Sequence, residues 1–360
     1  MPTRREMMAG GAAILATAAS ASPAAAIPYR RIACEEGYLS PGLLSANAHM
    51  HIPGVPLITR DGPVADLAEQ LVDVGAGRIA TMDRDGIAMQ LLLLSSPGVQ
   101  IFPVDQACVL AREANDYVAA ACRRHPTRLA ALAAIAPQDP AAAAHELERG
   151  VTSLGLKGGI INSHTGGVYL DAPAFWPIFE AAEALDVPIY IHPRDPAGGM
   201  REVLAGPLTG GAAWAYGVEV GTHVLKLMQA GLFDRFPRLK IVIGHMGEGL
   251  PFWMSRLDNR WLEQRGRMAA SGTPMPMKRL PSEYLRTNIW VTTSGMNDWA
   301  PLRLTQEVLG ADRVLYATDY PFEKQGETVA VVERMPLSPA AKKTLFETNA
   351  VTVFKLGAQT

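Results

Sequence analysis

Acids and imidazoles recur in this chain at the ends of short apolar runs. Leu315-Tyr316-Ala317-Thr318 leads into Asp319, and Pro321 follows at once. A proline cannot continue a ladder of backbone hydrogen bonds, so Asp319 marks the lip of a strand. Three other runs end in the same way. Ile32-Ala33-Cys34 leads into Glu35-Glu36-Gly37, Ile189-Tyr190-Ile191 into His192-Pro193, and Ile241-Val242-Ile243-Gly244 into His245-Met246-Gly247-Glu248. Taken singly, each has an ordinary explanation: Asp319 as a turn cap, a lone histidine as a hydrogen-bonded structural residue. Four together point to a shared site. Carboxylate and imidazole are ligands for a divalent transition metal with open positions, and they suit manganese or zinc alike.

Positioning such a set requires strands whose ends converge. The pattern predicts eight, near residues 30–34, 88–94, 129–135, 156–161, 187–191, 239–243, 288–292 and 313–317. Continuous apolar runs such as Met89-Gln90-Leu91-Leu92-Leu93-Leu94 fit strands covered on both faces, as in a parallel sheet. Helical patterns lie between them, over 63–83, 105–125, 140–153, 171–185 and within 201–236. Asp139 reads as an N-cap, with Pro140 in the first helical position. Eight strand–helix units give a (β/α)8 barrel of the TIM type, whose strand ends share one mouth. A doubly wound open sheet is the rival, but no glycine-rich phosphate turn supports it. Residues 198–215 and 272–281, rich in Ala/Gly and Pro/Met, read as insertions over that mouth.

Composition narrows the class. The 360 residues are 48% hydrophobic and 19% charged, enough to bury a large core in one domain over 27–360. A formal net charge of -2 gives no reason to expect nucleic acid. Cys34, Cys108 and Cys122 lack metal-finger spacing and cannot all pair; Cys108 and Cys122, in a helical pattern, read as core or helix-packing thiols. Residues 1–26 read as a twin-arginine-type export signal, with Thr3-Arg4-Arg5, a mild Ala/Gly run and Ala24-Ala25-Ala26 as a cleavage site. A membrane anchor would need about 20 strongly apolar residues. The expected location is therefore the periplasm, with no membrane partner.

The ordered set of segments resembles the metal-dependent nonoxidative decarboxylases of the amidohydrolase superfamily. It comprises Ile32-Ala33-Cys34-Glu35-Glu36, Ser95-Ser96-Pro97-Gly98-Val99-Gln100, Ala136-Pro137-Gln138-Asp139-Pro140, Ile161-Asn162-Ser163-His164-Thr165, Tyr190-Ile191-His192-Pro193, Gly244-His245-Met246-Gly247-Glu248 and Asp319-Tyr320-Pro321. The resemblance implies a barrel with one divalent ion, Mn2+ or Zn2+, held by Glu35, His192 and Asp319. It implies Asp319, His245 and Glu248 as catalytic groups, the last two as a dyad. Arg256, Asn162, His164, Tyr216 and Phe322 would contact a hydroxylated aromatic acid of the 5-carboxyvanillate or γ-resorcylate kind. A homo-oligomer, dimer or tetramer, is implied as well, with Arg256 near a subunit contact.

Two departures stand out. Gly37 occupies a position where many relatives place a histidine, and Pro63 aligns with an arginine of some relatives, Arg60 being near but displaced. A second candidate pair, His49-Met50-His51, has the His-x-His form of a strand 1 ligand pair but no apolar strand before it, so it reads as a loop near the mouth. The same ligands on the same scaffold would also serve a hydrolase of lactones, esters or amides, with Asp319 as general base. A binding protein that has lost its metal is the third reading, were Gly37 a mark of decay.

Overall fold

All eight expected strands form, each paired in parallel with the next. The computed structural model describes residues 27–357 except 53, 54, 56 and 63. The export signal expected over 1–26 lies outside the described residues. The strands are β1 (Ile32–Tyr38), β2 (Met89–Leu94), β3 (Leu129–Ala131), β4 (Ala133–Ala134), β5 (Gly159–Asn162), β6 (Pro188–His192), β7 (Lys240–Ile243), β8 (Ile289–Thr292) and β9 (Val314–Leu315). β3 and β4 are two halves of one barrel strand, interrupted at Leu132. Ladders run β1-β2-β3 and β4-β5-β6-β7-β8-β9. Backbone bonds from Leu132 N–H to Leu92 O (2.9 Å) and Ala133 N–H to Gly158 O (2.8 Å) bridge the interruption. Cys34 N–H to Tyr316 O (2.9 Å) and Gly37 N–H to Tyr320 O (2.7 Å) join the last strand to the first. The ring is closed. Both faces of nearly every strand are buried, which is why these segments are apolar throughout rather than alternating.

Local chemistry moves some boundaries. β1 runs on to Tyr38 instead of ending at Cys34, because its register against β2 shifts between Ala33 and Glu36. This bulge sets Cys34 and Glu35 against the single residue Leu91, and carries two glutamates inside the strand. The helix expected over 63–83 is two helices, Ala65–Val72 and Ala76–Asp85. Asp73 breaks it by turning its own Oδ1 onto Gly75 N–H at 2.8 Å. The stretch 201–236 also divides, into Gly199–Val203, Gly211–Ala213, Ala215–Gln229 and Leu232–Arg235.

Residues 198–215 do lie over the mouth, where Trp214 borders the same cleft as His245. Residues 272–281 do not. Lys278 N–H bonds Asp234 Oδ2 at 3.2 Å, and Pro276 packs on Gly231. Both partners precede β7, so this segment closes the opposite end of the barrel. Met277 is buried there, while Met275 and Pro276 border an open groove. Among the described residues no helix is long and apolar enough to cross a membrane.

Candidate active site at the barrel mouth

The strand ends surround a cleft of about 720 Å3 walled by Trp214, Tyr216, Phe252, Trp253 and Met296, with His245, Glu248 and Asp319 in its lining. The bulge in β1 aims Glu35 here, and the side chain is fully buried. Its Oε2 accepts hydrogen bonds from the hydroxyls of Thr292, at the end of β8, and Ser294 just beyond it. Its Oε1 has no hydrogen-bond donor although it is buried. A buried carboxylate oxygen in that condition is costly unless a cation completes it. Oε1 stands 3.6 Å from His192 Nε2 and 3.9 Å from His245 Nε2. Gly244 leaves room for it, since a Cβ there would sit 2.8 Å from Oε1.

His192, at the end of β6, has its Nδ1 2.8 Å from the Pro193 carbonyl. A carbonyl only accepts, so Nδ1 carries the proton and Nε2 offers a lone pair toward Glu35. Burial holds the His192 pKa down, which favours that neutral form. One ligand atom each from Glu35, His192 and Asp319 lies within 4.8 Å of the others. Two carboxylates, one imidazole and an orphaned buried oxygen fit a divalent ion such as Mn2+ or Zn2+.

His245 stands across from this cluster. Residues His245, Met246, Gly247, Glu248 and Gly249 all have positive φ, between 51° and 81°. This tight left-handed turn folds Glu248 back, so that its Oε1 lies 2.7 Å from His245 Nδ1. Gly217 gives the Glu248 carboxylate its space, as a Cβ would be 3.2 Å from Oε2. Nε2 then faces Asp319 Oδ2 at 4.0 Å. Burial disfavours the imidazolium, yet Glu248, Glu35 and Asp319 overcome it and raise His245 to about 10. Burial and the neighbouring Glu35 push Asp319 well above the usual carboxylate range, against the pull of His245. Glu35 is held low because His245, His192 and the two hydroxyls outweigh its burial. The site thus pairs a charged imidazole with a carboxyl group that keeps its proton readily.

The remaining expected residues divide. Tyr216 lines the cleft. Asn162 is buried below it, its Nδ2 donating to Leu94 O at 3.1 Å and its Oδ1 unpartnered. His164 has both ring nitrogens engaged, with Asp195 O at 2.9 Å and Gly167 N–H at 3.1 Å. Burial holds it down to about 4, a neutral anchor for the loop after β5. Phe322 is 46% exposed in the turn after Asp319 and does not border the cleft. Arg256 is exposed on a separate groove, with Met228, Trp261 and Met277, and does not reach the mouth of its own chain. His49 and His51 are exposed and take no part in the ligand cluster. Gly37 has no room for a histidine: a Cβ would meet Ser95 Oγ at 2.6 Å and Leu71 at 3.0 Å.

Sequence reasoning missed the hydroxyls that hold Glu35, although Thr292-Thr293-Ser294 at a strand end was a visible signal. It also missed a buried Ser163–His223–Glu219 group beside β5. Leu170 N–H bonds His223 Nε2 at 3.1 Å, so Nδ1–H points at Ser163 Oγ, 3.0 Å away, and Ser163 donates to Glu219 at 2.8 Å. An imidazole donating to the hydroxyl is no general base for it. The group is structural, with Tyr169 capping Glu219 at 2.6 Å.

Comparison with known proteins agrees with this geometry. γ-Resorcylate decarboxylase of Polaromonas sp. (strain JS666) is 39% identical over 304 residues, covering 81% of this chain and 90% of that protein. The crystal structure of 5-carboxyvanillate decarboxylase from Sphingomonas paucimobilis superposes with a TM-score of 0.86 at 40% identity, covering 91% of this chain and 99% of that one. The corresponding enzyme of Novosphingobium aromaticivorans, complexed with manganese and 4-hydroxy-3-methoxy-5-nitrobenzoic acid, gives a TM-score of 0.82 at 37% identity, covering 92% and 97%. The amidohydrolase family model matches residues 47–356. With its closed barrel and its strand-end carboxylates and imidazoles, the chain belongs to the amidohydrolase family.

Proposed function

We propose that this protein catalyses the metal-dependent, nonoxidative decarboxylation of a hydroxylated benzoic acid of the γ-resorcylate or 5-carboxyvanillate kind, releasing CO2. The observation that carries the reading is the cluster of Glu35, His192 and Asp319 beside the His245–Glu248 pair, beneath an aromatic-walled cleft. Those three side chains hold the divalent ion, which when bound supplies a Lewis acid for an ortho-hydroxybenzoate. Trp214 and Tyr216 flank the ring and exclude water. His245, kept protonated by Glu248, donates from Nε2 to the phenolic oxygen. Asp319 takes up the proton that the ortho-hydroxyl gives up on binding and delivers it to the ring carbon bearing the carboxylate. That carbon becomes tetrahedral, and the bond to CO2 then breaks with its electron pair returning to the ring. The product phenolate regains a proton from water.

The working form in this reading is a homo-oligomer, dimer or tetramer. Trp253 borders both the mouth and the groove carrying Arg256, so a second copy seated there would lie next to the cleft. The reading also includes export to the periplasm through residues 1–26, which an Arg4→Lys, Arg5→Lys double variant should block on cell fractionation.

The deciding experiment incubates Mn2+-loaded protein with a panel of ortho-hydroxybenzoates and measures CO2. Release from at least one member, abolished by chelator, is the expected result. Cleavage of lactones or esters with no CO2 from any benzoate would overturn the proposal.

A further inference from the structure

Two consecutive glutamates in β1 face different tasks, because alternation along a strand sends adjacent side chains to opposite sides. Glu35 enters the ligand cluster. Glu36 turns away from it, is fully buried, and meets the loop that follows β9. Its Oε1 accepts Thr318 N–H at 2.9 Å, and its Oε2 accepts Thr318 Oγ1–H at 2.6 Å and Tyr320 N–H at 3.1 Å. These donors are the residues on either side of Asp319. Asp319 itself has φ +61°, in the left-handed region that is uncommon for L residues although Asp enters it more readily than most.

The chain reinforces the same point twice more. Gly37 N–H bonds Tyr320 O at 2.7 Å. Arg78 donates to Gly37 O at 2.8 Å and lays its guanidinium 4.9 Å from the centre of the Tyr320 ring. The Glu36 and Gly37 bonds and the Arg78 stacking grip residues 318 and 320, with Arg78 also holding Gly37, and leave the Asp319 carboxylate free to point into the mouth.

From this geometry we infer that Glu36 is a positioning residue: it sets the backbone of Asp319 so that its carboxylate meets Glu35 and His192 as a metal ligand. The inference uses the metal site of the proposed function and is independent of the substrate. A glutamine at 36 turns an amide donor toward an N–H that now has an acceptor, and releases one side of the clamp. Thr318→Val removes the hydroxyl bond and leaves every charge in place. Thr318→Ser keeps the bond.

The test is Mn2+ titration calorimetry on the full chain, with far-UV circular dichroism to verify folding. Glu36→Gln should weaken Mn2+ binding by tenfold or more while the fold is kept, and should lower kcat far more than it raises KM. Thr318→Val should weaken Mn2+ binding several-fold, with Thr318→Ser close to the parent. A folded Glu36→Gln protein that binds Mn2+ within twofold of the parent would overturn the inference. Should that variant not fold, equal affinities for Thr318→Val and Thr318→Ser would overturn it just as well. If the parent binds Mn2+ but releases no CO2 from any benzoate, the functional reading fails and these affinities still judge Glu36.

Discussion

Glu248 Oε1 lies 2.7 Å from His245 Nδ1, and this contact leaves Nε2 as the only ring nitrogen facing the metal ligands. Burial alone would make His245 neutral; Glu248, with Glu35 and Asp319, keeps it charged to about 10. Replacing Glu248 by Gln should therefore move the alkaline limb of the kcat/KM–pH profile to lower pH. Turnover at pH 8 should fall by roughly 10²–10⁴, the range for losing a positioned acid–base group. An unmoved limb would show that Glu248 does not govern His245.

Metal content should track Glu35, His192 and Asp319. Glu35→Gln and His192→Ala should lose Mn2+ as measured by elemental analysis, and Asp319→Asn should abolish turnover. His49→Ala, at an exposed position outside the cluster, should leave metal content unchanged. Loss of metal in that variant would bring His49-Met50-His51 back as ligands.

Glycines beside the site predict two failures. Gly244→Ala brings a Cβ to 2.8 Å from Glu35 Oε1, so metal affinity should drop. Overpacking of this kind costs about 1–3 kcal/mol, readable by denaturant melts. Gly37→His should destabilise the fold and add no ligand, since Ser95 and Leu71 already occupy that space. Tighter Mn2+ binding by Gly37→His would contradict the packing argument.

Stability of the metal-free protein should fall as pH rises from about 7 to 10. His245 is raised in the fold from 6.5 to about 10, so its contribution is complete below 6.5 and lost through that window. Asp319 is raised as well, by burial and Glu35, so the folded state keeps a proton that the unfolded chain gives up, and the sign is the same. Mn2+ should consequently raise the melting temperature more at pH 8.5 than at pH 6.5, because ligands must shed protons to bind it. Equal shifts at the two pH values would refute this.

Legibility differed by distance along the chain. The eight strands were readable because a parallel barrel buries both strand faces and leaves continuous apolar runs. The Asp139 cap was readable as well: Oδ1 accepts from Ala141 N–H at 3.1 Å and Ala142 N–H at 3.0 Å. The break at Asp73 was not, because one side chain competing for one N–H leaves hydrophobic periodicity intact. The place of residues 272–281 was hidden too, since Pro and Met suit a gap at either end of a barrel.

By itself the sequence determined which residue type ends each strand, and so the donor chemistry of the mouth: two carboxylates, two imidazoles and an acid after His245. The resemblance pointed to Glu35 as the ligand, and the tertiary structure shows the physical reason it is Glu35 and not its neighbour that faces the cluster. A bulge inverts side-chain direction without leaving a compositional trace, and Glu35 and Glu36 are chemically identical. Only the tertiary structure decided that Glu36 grips residues on both sides of Asp319, across 282 to 284 positions of chain. That contact exists because the last strand closes on the first, a relation set by the geometry of the whole ring.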